Sequence, residues 1–161
     1  MLQIKIDGER TVKEVLEGVS RHVKRKLGTE AVITALTPIL SAARANASSS
    51  VETGNLRDSL GFRVKPYRKG EHIFATVGPR RKFRRKDPSG KGERVASKYG
   101  HLVEFGHVAR DGSFVAAKPF MRPAFTSNVV QAEQAMGRVL GAGVEAEARR
   151  QSRKRARAKK V

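Results

Sequence analysis

The sequence predicts an α+β protein in which a small, mostly antiparallel sheet carries long N-terminal helices and a C-terminal helix packed on one face. Two observations predict this class. Apolar residues recur at helical spacing near both ends of the 161-residue chain, and in the middle they alternate with polar residues as in half-buried strands. Apolar residues make up 39% of the composition, which is enough to bury one modest core.

The N-terminal segment predicts a short strand followed by a helix. Apolar residues alternate over residues 2–6, and an Asp-Gly turn follows. Thr11 and Glu14 have the spacing of a capping box, in which a hydroxyl and a carboxylate accept hydrogen bonds from free helix N–H groups. The apolar residues that follow lie on one helical face as far as Leu27, and Gly28 predicts the end of that helix.

A second helix, a hairpin and a last helix complete the predicted order. Thr29 can cap the second helix, and Pro38 predicts a kink or a break within it. Residues 57–66 and 72–78 alternate between apolar and polar side chains, which predicts an antiparallel hairpin with one apolar face. A last helix is predicted from about Pro123.

Positive charge is the main global feature of the chain, with 34 Lys+Arg, 15 Asp+Glu and a net charge of +19. Six cations lie between positions 80 and 86, in a segment 79–94 whose flanking glycines and prolines predict a loop. Eight more lie between positions 149 and 160, which predicts a flexible basic tail over 149–161 behind a single domain over 1–148.

A surplus of this size favours an anionic partner, of which polyphosphate is the commonest, although a solubilising surface is the alternative interpretation. Aromatic residues make up only 6% and tryptophan is absent, so we expect contact with phosphates and no reading of bases. The candidate phosphate contacts are Arg80, Arg81, Lys82, Arg84, Arg85, Lys86, Arg153, Lys154, Arg155 and Arg157.

No motif predicts an active site, a metal site or a cofactor site. His101 and His107 flank Glu104 but are six residues apart, whereas the two histidines of a zinc-protease helix are four apart. The chain has no phosphate-binding Gly-rich motif and no nucleophile-elbow motif. It has no cysteine and no apolar run long enough to span a membrane.

Three segments in the middle and the C-terminal part of the chain belong together as a pattern. They are residues 51–60 (VETGNLRDSL), 98–107 (KYGHLVEFGH) and 118–125 (KPFMRPAF). In this order they resemble the tail-completion or neck family of siphophage-type tailed bacteriophages. The resemblance covers about residues 1–145, and the basic loop and basic tail are not part of the family pattern.

Residues in these motifs are expected to maintain the fold or to form subunit interfaces. Arg57, at the start of the predicted hairpin, could pair with Glu104, and glycines 54 and 106 suggest backbone conformations closed to other residues. The prolines of the third motif are expected to hold Phe120 and Phe125 in the core ahead of the last helix. The full set is Thr53, Gly54, Leu56, Arg57, Tyr99, Glu104, Gly106, Pro119, Phe120, Arg122 and Pro123.

The resemblance implies a structural virion protein, not an enzyme. Its members form a ring in the neck that joins the DNA-filled head to the tail, with six-fold symmetry favoured and twelve-fold symmetry possible. Implied partners are the chain itself, portal- or adaptor-side proteins and tail-tube-side proteins. From the basic clusters we further expect a contact with the backbone of packaged double-stranded DNA, by which the ring helps retain or channel the DNA. The protein is expected in the virion after synthesis in the host cytoplasm, and no membrane partner is expected.

Two other functions stay open from the sequence. One is a free, sequence-nonspecific nucleic-acid-binding protein that acts outside the virion, which would show steeply salt-dependent affinity. The other is a nuclease with an unrecognised site, for which activity would depend on a divalent metal and on single carboxylates such as Glu104.

Overall fold

A long helix at each end of the described chain and three small antiparallel sheets between them confirm the α+β class. The computed structural model describes residues 21–48, 54–67, 72–86 and 92–158, so the strand predicted at 2–6 and the helix start at Thr11 lie outside it. In chain order the elements are α1 (Arg21–Ser48), α2 (Asn55–Ser59), β1 (Leu60–Tyr67), β2 (His72–Pro79), β3 (Arg85–Lys86), β4 (Glu93–Arg94), α3 (Ala96–Phe105), β5 (His107–Val108), β6 (Phe114–Val115) and α4 (Met121–Ala158).

Helix α1 is continuous through the region where the sequence predicts one helix to end and another to begin. Gly28 lies inside α1 and does not end a helix. A Cβ at this position would lie 2.5 Å from Ile73 Cδ1 of β2, so glycine leaves room for that side chain. Thr29 is not a cap, since its Oγ1 donates to the Arg25 carbonyl inside the helix at 2.7 Å. Pro38 does not break the helix, and residues on either side of it are buried against α4.

Helices α1 and α4 run antiparallel along each other. Leu27 of α1 packs against Gly143 of α4, while Ala35 and Ile39 pack with Ala132, so residue numbers fall along one helix as they rise along the other. Most buried positions on these two helices are alanine, which allows the backbones to approach closely.

The predicted hairpin is confirmed as the antiparallel pair β1–β2. Phe62 lies opposite Val77 and Val64 opposite Ala75, on the half-buried face that packs toward α1. The strand begins later than the sequence predicts, because residues 55–59 form the short helix α2.

The main core lies where α1, α2, α3 and the beginning of α4 meet. Its largest buried side chains are Phe120, Leu56 and Leu60, and Ala43 and Ala96 pack among them. Arg44 of α1 donates to the Leu60 carbonyl at 2.9 Å, which fixes the start of β1 on the helix. No helix in the described ranges combines the length and the apolar character that crossing a bilayer requires.

Residues 149–158 of the C-terminal basic segment are helical, whereas the sequence predicts a flexible tail over 149–161. Helix α4 begins at Met121, two residues before the predicted start, and continues to Ala158. Residues 145–158 contain mostly Ala, Arg, Glu, Lys and Gln, which are strong helix formers and extend the helix without a stop signal.

Candidate functional site

The carboxylate of Glu104 caps the N-terminus of α4. Its Oε2 accepts hydrogen bonds from the backbone N–H groups of Phe120 at 2.8 Å and Met121 at 2.9 Å, and its Oε1 accepts from Arg122 N–H at 2.9 Å. The first N–H groups of a helix have no partner inside it, and a negative charge there also interacts favourably with the helix dipole. A side chain at the end of α3 therefore completes the beginning of the longest helix.

This position sets the charge state of Glu104. The side chain is buried, and burial by itself raises the pKa of the carboxyl group. The N–H groups of Met121, Phe120 and Arg122 oppose that effect, as does the Arg122 charge, and the net result is a pKa below the ordinary value. Glu104 is therefore held as a buried carboxylate.

Further hydrogen bonds join the three sequence motifs to one another. Asn46 Nδ2 of α1 donates to the Phe120 carbonyl at 3.2 Å, so both backbone polar groups of Phe120 are held by side chains from other elements. Asn55 Nδ2 of α2 donates to the Tyr99 hydroxyl of α3 at 2.7 Å. The motifs at 51–60, 98–107 and 118–125 thus meet around a single core.

The two motif glycines have the backbone conformations that the sequence suggests. Gly54 has φ 62° immediately before α2, and Gly106 has φ 74° immediately after α3. A Cβ at Gly106 would also lie 2.8 Å from the Val115 carbonyl oxygen and 2.9 Å from Ala117 N. Both positions therefore favour glycine, and at Gly106 the neighbouring backbone atoms leave no room for a side chain. Thr53 lies outside the described residues.

Two predictions about motif residues are wrong. Arg57 lies in α2 and not at the start of a strand, and its Nε is 2.8 Å from Asp58 Oδ1. It does not pair with Glu104, whose oxygens accept from backbone N–H groups. Phe120 is buried as predicted, but Phe125 lies within α4 and is 56% exposed. Pro123 likewise lies inside the first turn of α4, where its missing N–H costs no hydrogen bond.

Half of the candidate phosphate contacts in the basic loop bind groups of the protein itself. Arg80 donates from Nη2 to the Asp58 carbonyl at 3.0 Å and from Nε to the Ser59 carbonyl at 3.2 Å. Arg84 pairs with Glu93 at 2.9 Å, and Arg85 Nη1 lies 3.3 Å from Asp58 Oδ2. The other three cations of this cluster, Arg81, Lys82 and Lys86, are exposed.

Cations from both long helices lie at the same end of the helical pair. Because Leu27 is level with Gly143, the N-terminal turns of α1 lie beside the part of α4 that follows Gly143. Lys24, Arg25 and Lys26 are exposed on α1, a group that the sequence analysis did not single out. We call these residues and the α4 cations the basic end; its α4 members are Arg149, Arg150, Arg153, Lys154 and Arg157, which line one shallow depression.

The other candidate contacts at the C-terminus fit this arrangement. Arg149, Arg153 and Arg157 are four residues apart and therefore lie on one side of α4, about 6 Å apart along its axis. Arg155 lies within the helix between them. One acidic partner is close, since Glu147 Oε2 lies 3.5 Å from Arg150 Nη1.

An open apolar groove of about 790 Å³ lies at the opposite end, beside the Glu104 cap. It is bounded by α1, β2, α3 and the start of α4. Its apolar lining includes Leu36, Ile39, Ala75, Val77, Phe105 and Phe125. Arg81 and Arg122 also line it, and the Arg122 guanidinium lies 5.3 Å from the centre of the Phe105 ring.

A small hairpin, residues 107–115, lies in the sequence between Phe105 and Phe120, two residues that line this groove. We call it the arm. Val108 and Phe114 lie opposite each other in its two strands and are 66% and 72% exposed. Hydrogen bonds close the turn: Ala109 N–H donates to the Ser113 carbonyl at 2.8 Å, and the Asp111 carboxylate accepts from Ser113 N–H and Oγ–H.

The histidines near Glu104 do not form a metal site with it. His101 is exposed on α3, whereas His107 lies beyond the end of that helix in β5. Within the described ranges, no group of three or more His, Asp or Glu side chains is arranged to hold a metal ion.

Comparison with known proteins finds one family. A family model described as "Bacteriophage HK97-gp10, putative tail-component" matches residues 9–106, which include the first motif and all but the last residue of the second. The third motif lies beyond the matched range and joins the other two through Glu104. None of the curated proteins or solved structures compared with the chain matches it.

Proposed function

The chain belongs to the HK97-gp10-like family of bacteriophage tail components, and on this basis we propose that it is a structural virion protein that forms a ring in the phage neck. The ring joins the DNA-filled head to the tail, between portal- or adaptor-side proteins and tail-tube-side proteins. Six-fold symmetry is favoured over twelve-fold symmetry. The protein is made in the host cytoplasm and reaches its working position in the virion.

The family match carries this proposal, and the arrangement of the motifs supports it. Glu104 is the carboxylate that sequence reasoning singled out for possible chemistry, and both of its oxygens accept hydrogen bonds from the backbone of α4. Tyr99 and Asn55 likewise bind each other. These residues keep the subunit rigid, which a structural component requires, and we assign them no catalytic role.

The basic end supports a contact with packaged DNA. Its cations are exposed, come from two rigid helices and are spaced along a helix face, so they can meet several phosphates without local folding. Three loop cations, in contrast, are held by the protein's own carbonyls and carboxylates. We therefore propose that the basic end is the principal DNA contact and that Lys82 and Lys86 of the loop are a secondary one.

Single-particle imaging of intact virions tests the proposal. We expect a ring of this chain between portal and tail tube, with the basic end toward the DNA or its channel. Absence of the chain from purified virions would contradict the proposed function. A ring whose basic end contacts only protein would keep the neck assignment and overturn the DNA contact.

The alternative is a sequence-nonspecific nucleic-acid-binding protein outside the virion, and the basic end is the observation that favours it. The two functions differ in assembly state. The alternative predicts a monomer or dimer with strong affinity for free duplex and a steep salt dependence, and it predicts that virions assemble normally without the chain.

A further inference from the structure

The arm and the apolar groove have opposite shapes, and within the described part of the chain no other segment covers either of them. The groove is concave, and the Val108–Phe114 pair projects from the arm. No residue of the arm is among those that line the groove of its own chain. Exposed apolar surfaces that are held in a fixed shape are typical of protein contacts.

The arm is ordered although its apolar pair is exposed. Strands of two residues are too short to be stable by themselves. This hairpin is fixed at its turn by Asp111 and at its base by Gly106, and Lys118 N–H donates to the Val103 carbonyl at 2.8 Å. Little conformational entropy would therefore be lost when the arm binds a partner.

Charge favours a partner that carries the same arm. Arg81 and Arg122 are exposed cations lining the groove, and the arm has an exposed carboxylate, Asp111, at its turn, next to Arg110. A second copy can thus bring a carboxylate toward the groove cations together with an apolar pair for the groove. The arm as a whole carries no net charge, because Arg110 offsets Asp111, so a second copy presents to these cations a neutral segment of an otherwise strongly basic chain.

We propose that the arm of one copy inserts Val108 and Phe114 into the apolar groove of the next copy, and that this is the contact between neighbouring subunits of the ring. The inference rests on the proposed function, because it names the surfaces by which the ring would assemble. Each copy gives an arm to one neighbour and receives an arm from the other. Such a contact is head-to-tail, and it closes into a ring when the rotation between neighbours allows.

Two substitutions remove the two halves of the contact separately. Phe114→Ser changes the arm, and Phe125→Ser changes the groove at a residue that is more than half exposed. Phe74→Ser is the matched control, since Phe74 is 65% exposed on the outer face of β2 and lines neither surface. Circular dichroism and thermal unfolding establish that each full-length variant is folded.

Light scattering and native mass spectrometry then measure assembly, in about 0.5 M salt to screen repulsion between the basic chains. We expect the wild type and Phe74→Ser to form closed oligomers, and each of the other variants to self-associate at least about tenfold more weakly. An equal mixture of Phe114→Ser and Phe125→Ser should give dimers and nothing larger. One intact arm then meets one intact groove, and the remaining two halves are both defective.

The outcomes separate the two proposals. Oligomers of the wild type that persist in both variants would overturn the arm-and-groove contact and leave the ring intact. A mixture that stays monomeric would overturn it as well, because the head-to-tail arrangement requires rescue. A wild-type chain that stays monomeric at every concentration would contradict the ring itself.

Discussion

Glu104 and Phe120 are joined by a hydrogen bond of 2.8 Å between a buried carboxylate oxygen and a backbone N–H group. The bond connects the end of α3 to the beginning of α4, and the N–H groups of the next two residues share the same carboxylate. Since Phe120 is also the largest fully buried side chain, one residue pair fixes both the capping and the packing of the longest helix.

The cap predicts a large loss of stability for Glu104→Ala. Three backbone N–H groups would lose their acceptor in a mostly buried place, so we expect the free energy of unfolding to fall by about 3 kcal/mol. Glu104→Gln keeps one acceptor and should cost about 1–2 kcal/mol. Urea denaturation measures both. Glu93→Gln is the control, because Glu93 is in an exposed ion pair, and its loss should cost under about 1 kcal/mol.

The lowered pKa of Glu104 predicts how stability depends on pH. A carboxyl group with a folded-state pKa below its unfolded-state value stabilises the protein above the unfolded-state pKa. That contribution is lost as the pH falls through the folded-state pKa. Denaturation midpoints across the acid range should therefore fall more steeply for the wild type than for Glu104→Gln.

Asp58 and Asp111 also have lowered pKa values, but both are present in the two proteins and cancel in the comparison. Equal slopes in wild type and Glu104→Gln would show that Glu104 does not contribute in this way.

Gly143 is predicted to be required for packing of the two long helices. A Cβ there would overlap the branched end of Leu27, with Leu27 Cγ only 2.9 Å away. Alanine is the better helix former by about 1 kcal/mol, yet we expect Gly143→Ala to lower stability by about 1–2 kcal/mol because overpacking outweighs that gain.

The same helix provides the control for this prediction. A Cβ added at Gly137 or Gly141 would meet no described atom within 4 Å apart from those of its own stretch of helix. Gly137→Ala and Gly141→Ala should therefore raise stability by up to about 1 kcal/mol. Thermal unfolding of the three variants measures the difference. An increase for Gly143→Ala equal to that of the controls would mean that the helices are not in close contact at Leu27.

Binding to duplex DNA should depend on the basic end more than on the paired loop cations. Replacing Arg149, Arg153 and Arg157 by Gln should reduce the slope of log affinity against log salt concentration by roughly 2–3, about one unit for each lost phosphate contact. Arg84→Gln with Arg85→Gln should change the slope by less than about one, since both cations already have carboxylate partners. Fluorescence anisotropy at several salt concentrations measures the slopes, and the reverse order would assign the DNA contact to the loop.

Much of the fold could be predicted because local pattern and tertiary packing agree. The alternation at 57–66 and 72–78 predicts the hairpin and its inner face, and the positive φ angles at Gly54 and Gly106 match the suggestion made from glycine itself. The helix end predicted at Gly28 is wrong. Glycine is needed there because Ile73 approaches the helix closely, and a tertiary contact of this kind is not visible in a local sequence pattern.

The candidate surfaces were harder to predict for the same reason. The sequence suggests a pair between Glu104 and Arg57, but the partners of Glu104 are backbone N–H groups. Every residue except proline carries such a group, so no side-chain pattern marks the residues that donate it. Lys24, Arg25 and Lys26 belong to a larger basic surface only because the antiparallel pairing of the two long helices brings them beside the C-terminal cations. Clusters along the sequence predicted where charge is concentrated, but not which cations the protein itself uses.

The length of α4 has a mechanical consequence. Its 38 residues extend about 57 Å from the Glu104 cap to the far side of the basic end. If the helical pair tilts by about 5° as a rigid lever about that cap, simple trigonometry moves its far end sideways by about 5 Å. A small rotation at the compact end of the molecule is thereby amplified into a sideways displacement of the cations at the other end.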